Sequence, residues 1–286
     1  MMADLLAKYS ASILAVQEVI SKKPPGMLYH YTSRNGLLGM VKDGAIWASS
    51  LRHVNDSREL ETAFDIFKAV RKRIEQKADP TTRAFLDRIE FGDSIDTYVQ
   101  SASEDWGVFA FSLSSSSDEL AMWRAYGRAG DAYAVGFRTN ELERLRAPAG
   151  SFSLVKCIYE KDQRSDVVER LLVQSIEAAK QEMSLTGNEN TARLTFGAIF
   201  DWGFRILLPA LKHQGFHSEE EWRLAVCDIN LAYEGVEYRD GGRLLLPYMK
   251  LRPEPESKFT YWSHCDRTHA SSCSRGENRS GAARSL

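Results

Sequence analysis

The sequence predicts an α+β fold, a mixed and mainly antiparallel sheet with helices inserted between its strands. Three observations carry this. Short β-branched and aromatic runs (MLYHYT, AIWAS, VFAFSLS, DAYAVGF) recur along the first half of the chain. Between and after them lie stretches with helical spacing of apolar residues. A Gly241-Gly242 pair between VEYR and RLLLPYMKL marks a hairpin, which makes at least that part of the sheet antiparallel.

Residues 3 to 20 place Leu6, Tyr9, Ile13, Val16 and Ile20 on one helical face, closed by Lys22-Lys23-Pro24-Pro25-Gly26. The strand MLYHYT follows. Ser33 is placed to cap a helix running to Val41, which Asp43-Gly44 ends, and AIWAS forms the next strand. From 58 to about 103 the pattern is helical and highly charged, broken at Asp79-Pro80, as an inserted helical hairpin is.

GVFAFSLS is a buried strand, and Asp118 is placed to cap the helix ELAMWRAYG. DAYAVGF, a short helix from Asn140 and a strand at Leu154 to Tyr159 come next. Two long helical stretches then occupy 165 to about 211, split by Thr186-Gly187-Asn188, before a polar loop enters the strand at EEEWRLAV. The organisation is thus one domain over 1–253 with an N-terminal helix and helical insertions at about 58–103 and 165–211. Residues 254–286 are Pro/Ser/Arg/Gly-rich with almost no aliphatic side chains, the composition of a disordered segment. The change after PYMKL is as abrupt as an out-of-frame translation would make it.

The formal net charge of −2 gives no global attraction to nucleic acid, so any such partner needs a local basic patch. No apolar run reaches the roughly 18 residues of a membrane span, and the amino terminus lacks the layout of a signal peptide, so a cytoplasmic protein without a membrane partner is expected. The four cysteines include no CxxC pair and are expected to be reduced. His213 and His217 have helical ligand spacing, but Gly215 interrupts it and no HExxH is present, so no metal site is expected.

The stretches LYHYTS, IWASS, NDSRE, FSLS, MWRAYG, AVGF and EEEWR resemble, in this order, a bacterial family known only as domain-of-unknown-function family 2971. The resemblance spans most of residues 27 to 252. More widely, the arrangement resembles the ADP-ribosyltransferase fold, in which a His or Arg on the first core strand, an aromatic or Ser on a second and a Glu on a later one surround NAD. His30, the Phe111, Ser112 and Ser114 strand, and Glu221 with Glu219 stand at those places, with Phe111 where many members have Tyr. That resemblance implies NAD as substrate and transfer of ADP-ribose to a macromolecule, protein or nucleic acid, or to water. It assigns Glu221, Glu219 and His30 to catalysis, and His30, Tyr31, Thr32, Phe111, Ser112, Ser114, Arg52 and Arg124 to the cofactor. The alternative it leaves is a non-enzymatic interaction module of a bacterial defence or toxin system on a degenerate core.

The residue types suit that chemistry. Breaking the nicotinamide–ribose bond develops positive charge on the sugar, and a carboxylate at roughly 4 Å in an effective dielectric near 20 contributes about 4 kcal/mol, on the order of a thousandfold in rate. Strand alternation would put Glu219 and Glu221 on one face. A regular strand turns Tyr31 away from His30, and Phe111 offers a flat surface for the nicotinamide ring.

Overall fold

A ten-stranded sheet organises the computed structural model, which describes residues 22–51, 58–87, 106–126, 132–147, 152–230, 235–240, 244–253 and 262–265. Its strands are β1 (Met27–Ser33), β2 (Ile46–Ser50), β3 (Trp106–Ser114), β4 (Ala132–Arg138), β5 (Leu145–Arg146), β6 (Phe152–Lys156), β7 (Glu221–Asn230), β8 (Val236–Asp240), β9 (Leu245–Pro253) and β10 (Trp262–Cys265). The main path runs β10-β4-β1-β3-β2-β9-β5, with β7 and then β6 on the other side of β3, and β8 on β9. All these strand pairings are antiparallel; the parallel contact is a single bridge between Ile158 and Leu211.

The α+β class is as the sequence predicts, and so are most elements. Ser33 caps α1 (Arg34–Asp43) by accepting from the Gly36 N–H at 3.3 Å, and Gly44 ends it at φ 58°, a left-handed conformation that suits a residue without Cβ. The charged stretch gives α2 (Arg58–Glu75) and α3 (Pro80–Leu86), with Asp79 capping α3 through the Thr82 N–H at 3.0 Å. Next come α4 (Leu120–Tyr126) and the one-turn α5 (Thr139–Leu142). Asp118 takes the Trp123 indole N–H at 2.8 Å, and Glu119, directly before α4, accepts from the Ala121 N–H at 3.1 Å.

The paired helices are α6 (Lys161–Thr186) and α7 (Glu189–Leu207), turned by Gly187 at φ 62° and capped by Asn188, followed by 3-10 turns at Leu208–Ala210 and Gln214–Glu219. The expected N-terminal helix and the segment 88–105 lie outside the described residues. Within the segment 254–286, Trp262–Cys265 pair with β4.

Alternation along β3 divides the core into two layers. Val108 and Ala110 face the helices, where Val155, Ala225 and Leu211 meet the aliphatic face of α6 and the ladder Phe196, Phe200 and Phe204 of α7. Each of those phenylalanines is fully buried, a contribution of about 1.5–3 kcal/mol apiece. Phe109, Phe111 and Leu113 point the other way, onto Leu28, Ile46, Val135, Leu224 and the Met40 side of α1.

The centre of the sheet is split. β7 pairs along the length of β3, so β1 and β2 must share its other edge. β1 reaches it at Tyr29 opposite Ser114, and β2 at Ser49 and Ser50 opposite Ala110 and Phe109. Between those points β1 turns away to pair with β4, and β2 with β9.

Candidate functional site

His30 sits in this split. Its Nδ1 lies 2.8 Å from the Ser112 carbonyl oxygen, and since a carbonyl only accepts, Nδ1 carries the proton. The ring thereby satisfies a backbone acceptor where β1 has left the edge of β3. It also stacks on Phe111, with centroids 4.2 Å apart and planes at 29°. Burial pulls the imidazole down to about 4; the bond to Ser112 works in the opposite direction, and the Arg239 charge adds to the lowering. His30 is therefore a neutral ring at neutral pH.

Glu221 opens β7 and is 3% exposed. The Arg223 guanidinium grips its carboxylate with Nε at 2.9 Å from one oxygen and Nη2 at 3.0 Å from the other. Lys212 Nζ joins the second oxygen and also binds Glu219. Cys157 Sγ lies 3.6 Å from the same oxygen, and the Tyr159 hydroxyl accepts the Glu221 N–H at 2.7 Å. Burial alone would raise the carboxyl, but Arg223 and Lys212 together outweigh it and hold it at about 2. Two carboxylates and two cations thus form a neutral, largely enclosed cluster, the arrangement that offsets the desolvation of each ion.

Glu219 and Glu221 meet at one ammonium, but not by strand alternation. Glu219 ends a 3-10 turn, and Glu220 between them takes φ 43°, the left-handed region that disfavours a side chain. Arg223 is a clamp on Glu221, and Arg223 Nη1 also reaches the Pro209 carbonyl at 3.1 Å.

The residues expected around one cofactor fall into two groups on opposite faces of the sheet. His30, Phe111 and the Leu28 side of β1 share one face. Glu221 stands opposite Ser114 in the β3–β7 register, three residues from Phe111, and so on the other face together with Arg223 opposite Ser112. Phe111 presents no surface to a nicotinamide ring: it is 2% exposed, with His30 on its flat face and Phe137 against it edge-on at 5.7 Å. Tyr31 does point away from His30, into a cluster with Met122 and Ala134.

The Tyr31 hydroxyl donates to the Ser116 carbonyl at 3.0 Å and accepts from the Glu119 N–H at 2.9 Å, tying β1 to the start of α4. Ser114 is fully buried, with its hydroxyl donated to the Glu219 carbonyl at 2.7 Å and accepting from the Ser116 N–H at 3.1 Å. Thr32 is buried and Ser112 half-buried, whereas Arg124 lies exposed on α4. Arg52 and Asn55-Asp56 fall outside the described residues. Among the described residues no group of three or more His, Cys, Asp or Glu is placed to hold a metal. His213 instead accepts from the Gly215 N–H at 3.1 Å, and the His217 ring lies 5.1 Å from that of Tyr159.

Lys212, Tyr159 and Cys157 escape a sequence reading. Each is a single polar side chain beside an apolar run, and only the fold brings them to Glu221. The one local signal is Lys212 itself, a cation directly after Leu207–Leu211 in a stretch that is otherwise buried. No curated protein and no solved structure matches the chain. The matched segment of the chain begins at Met122 in α4 and ends at Leu224 in β7, so it contains Cys157, Tyr159, Lys212, Glu219, Glu221 and Arg223 but neither His30 nor Phe111. Residues 122–224 match the family described as "Protein of unknown function (DUF2971)".

Proposed function

We propose that the chain is an ADP-ribosyltransferase-like protein that breaks the nicotinamide–ribose bond of NAD and passes ADP-ribose to a macromolecule or to water. The observation that carries this is the adjacency of the three motif strands. β1, β3 and β7 lie side by side, and Tyr29, Ser114 and Glu221 form one row across them. Glu219 and Glu221 converge on an ammonium, so the pair is arranged around a positive charge of the kind that a ribosyl cation develops. In this mechanism Glu221 faces the sugar and Glu219, with 20% of its side chain exposed, orients the acceptor. The sugar takes the place of Lys212 Nζ. His30, on the other face, positions β3 and does not touch the sugar.

Nicotinamide release from NAD tests this. Glu219→Gln and Glu221→Gln are each expected to abolish release while circular dichroism shows a folded chain, and full activity in folded Glu221→Gln sinks the assignment.

A specific observation favours a second function, a non-enzymatic interaction module on the same core in a bacterial defence or toxin system. Both Glu221 oxygens are held by cations, and Phe111 is covered. Calorimetry separates the two. Heat of NAD binding that disappears in Glu219→Gln supports the transferase; no binding at millimolar NAD supports the module.

A further inference from the structure

Beside the Glu221 cluster, between the end of β6 and the start of α6, lies a cavity of about 180 Å³ whose walls include Lys22, Lys156, Cys157, Tyr159, Gln163 and His217. A water takes about 30 Å³ in the liquid, and sites for drug-sized ligands begin near 300 Å³. The cavity therefore suits a group of a few heavy atoms.

Its chemistry favours an anion. Lys22 and Lys156 are among its lining residues, with Glu160, which is exposed, as the acidic one, and the Lys156 ammonium also stands 5.9 Å from the centre of the Trp222 ring. The carboxylates of the adjoining cluster, Glu221 and Glu219, are already paired with Lys212 and Arg223. Donors are present as well. Tyr159 is 6% exposed; its oxygen accepts the Glu221 N–H, and among the described residues its own proton has no acceptor. Gln163 belongs to the first turn of the 26-residue α6, whose N-cap residue Glu160 makes no side-chain hydrogen bond to it. The N–H groups of that turn and the positive end of the helix dipole add to the same side of the balance.

We propose that this cavity binds a small phosphate-bearing anion, with Lys156 as its principal charge partner and the Tyr159 hydroxyl as a donor. The dispersed donors, an ammonium, a phenol and helix N–H groups, match the several oxygens of a tetrahedral phosphate better than the two coplanar oxygens of a carboxylate. The proposal is independent of NAD chemistry, because none of these side chains belongs to the row Tyr29–Ser114–Glu221. Two residues join the sites: the Tyr159 hydroxyl accepts the Glu221 N–H at 2.7 Å, and the Cys157 N–H donates to the Glu221 carbonyl at 3.0 Å.

Titration calorimetry of the full chain with inorganic phosphate, at ionic strength held constant with sodium chloride, tests it. Saturable heat at millimolar phosphate is expected, weakened about tenfold or more in Lys156→Gln and in Tyr159→Phe, the loss of one charge-assisted or one buried hydrogen bond. Arg193→Gln, on the exposed side of α7, is expected to bind as the parent does. Ribose 5-phosphate distinguishes the sources: tighter binding than inorganic phosphate identifies the phosphate arm of a metabolite, and equal binding identifies free phosphate. Absence of saturable heat in the parent chain overturns the proposal, as does a folded Lys156→Gln that binds phosphate undiminished.

Discussion

Glu221→Gln isolates the energetics of the buried cluster. The parent carboxyl sits at about 2 against an ordinary 4.5, because Arg223 and Lys212 outweigh a burial that by itself acts in the other direction. Holding a fully enclosed carboxyl that far down is worth about 3 kcal/mol of stability at neutral pH. The roughly 3–5 kcal/mol lost when one partner leaves a buried ion pair is of the same size. The unfolded chain takes up its proton near pH 4.5 and the folded chain only near 2. The stabilisation is therefore complete above about pH 4.5 and is lost as pH falls through 2. Urea unfolding followed by tryptophan fluorescence measures it. At pH 7 the variant is expected to be about 3 kcal/mol less stable, with Tm lower by roughly 6–12 °C. The gap is expected to narrow as pH is lowered from 4.5 towards 2. A variant within about 0.5 kcal/mol of the parent at pH 7, the spread typical of surface changes, refutes the clamp, as does a gap that does not change with pH.

His30 is held at about 4, chiefly by burial, so an NMR titration of its ring protons is expected to show a midpoint well below the usual 6.5. Its contribution to stability is present in full above pH 6.5 and is lost as pH falls through 4; a midpoint at 6.5 contradicts the enclosed ring. Tyr31→Phe removes the hydroxyl that links the Ser116 carbonyl to the Glu119 N–H, and is expected to destabilise by about 1–2 kcal/mol. Hydrogen exchange at Ala121 to Trp123 should accelerate in that variant, and unchanged exchange there places the tether elsewhere.

Short-range patterns in the chain anticipate what local chemistry determines. Ser33, Asp79 and Asn188 cap the helices whose starts they mark, and Gly44 and Gly187 take the left-handed conformations that end helices. The opposed directions of His30 and Tyr31 follow from strand alternation and appear in the fold. The candidate site is less legible, because it depends on register between strands remote in the chain. That register turns Phe111 and Glu221 to opposite faces. Alternation misleads at Glu219-Glu220-Glu221, where the middle residue is left-handed and the strand begins one residue after it. Only its place directly after Leu207–Leu211 marks Lys212, since its burial is sustained by carboxylates that arrive with Glu219 and β7. The charge and aromatic content of YHYTS and EEEWR marks both stretches as interesting; it does not tell which face of the sheet each will occupy.

The shared edge of β3 also bears on how the chain is made. β3 is synthesised about a hundred residues ahead of β7, the strand that pairs along its whole length. On its other side β1 and β2 cover only its end and its middle. A nascent chain that has reached the α6–α7 hairpin therefore already displays a strand carrying Phe109, Phe111 and Leu113 with one long edge open, the condition under which strands pair with the wrong partner. The helical hairpin, whose contacts are close in sequence, can form during that interval. Completion of β7 is then the event that closes the sheet and buries its central strand, and it delivers Glu221 to Lys212 in the same step.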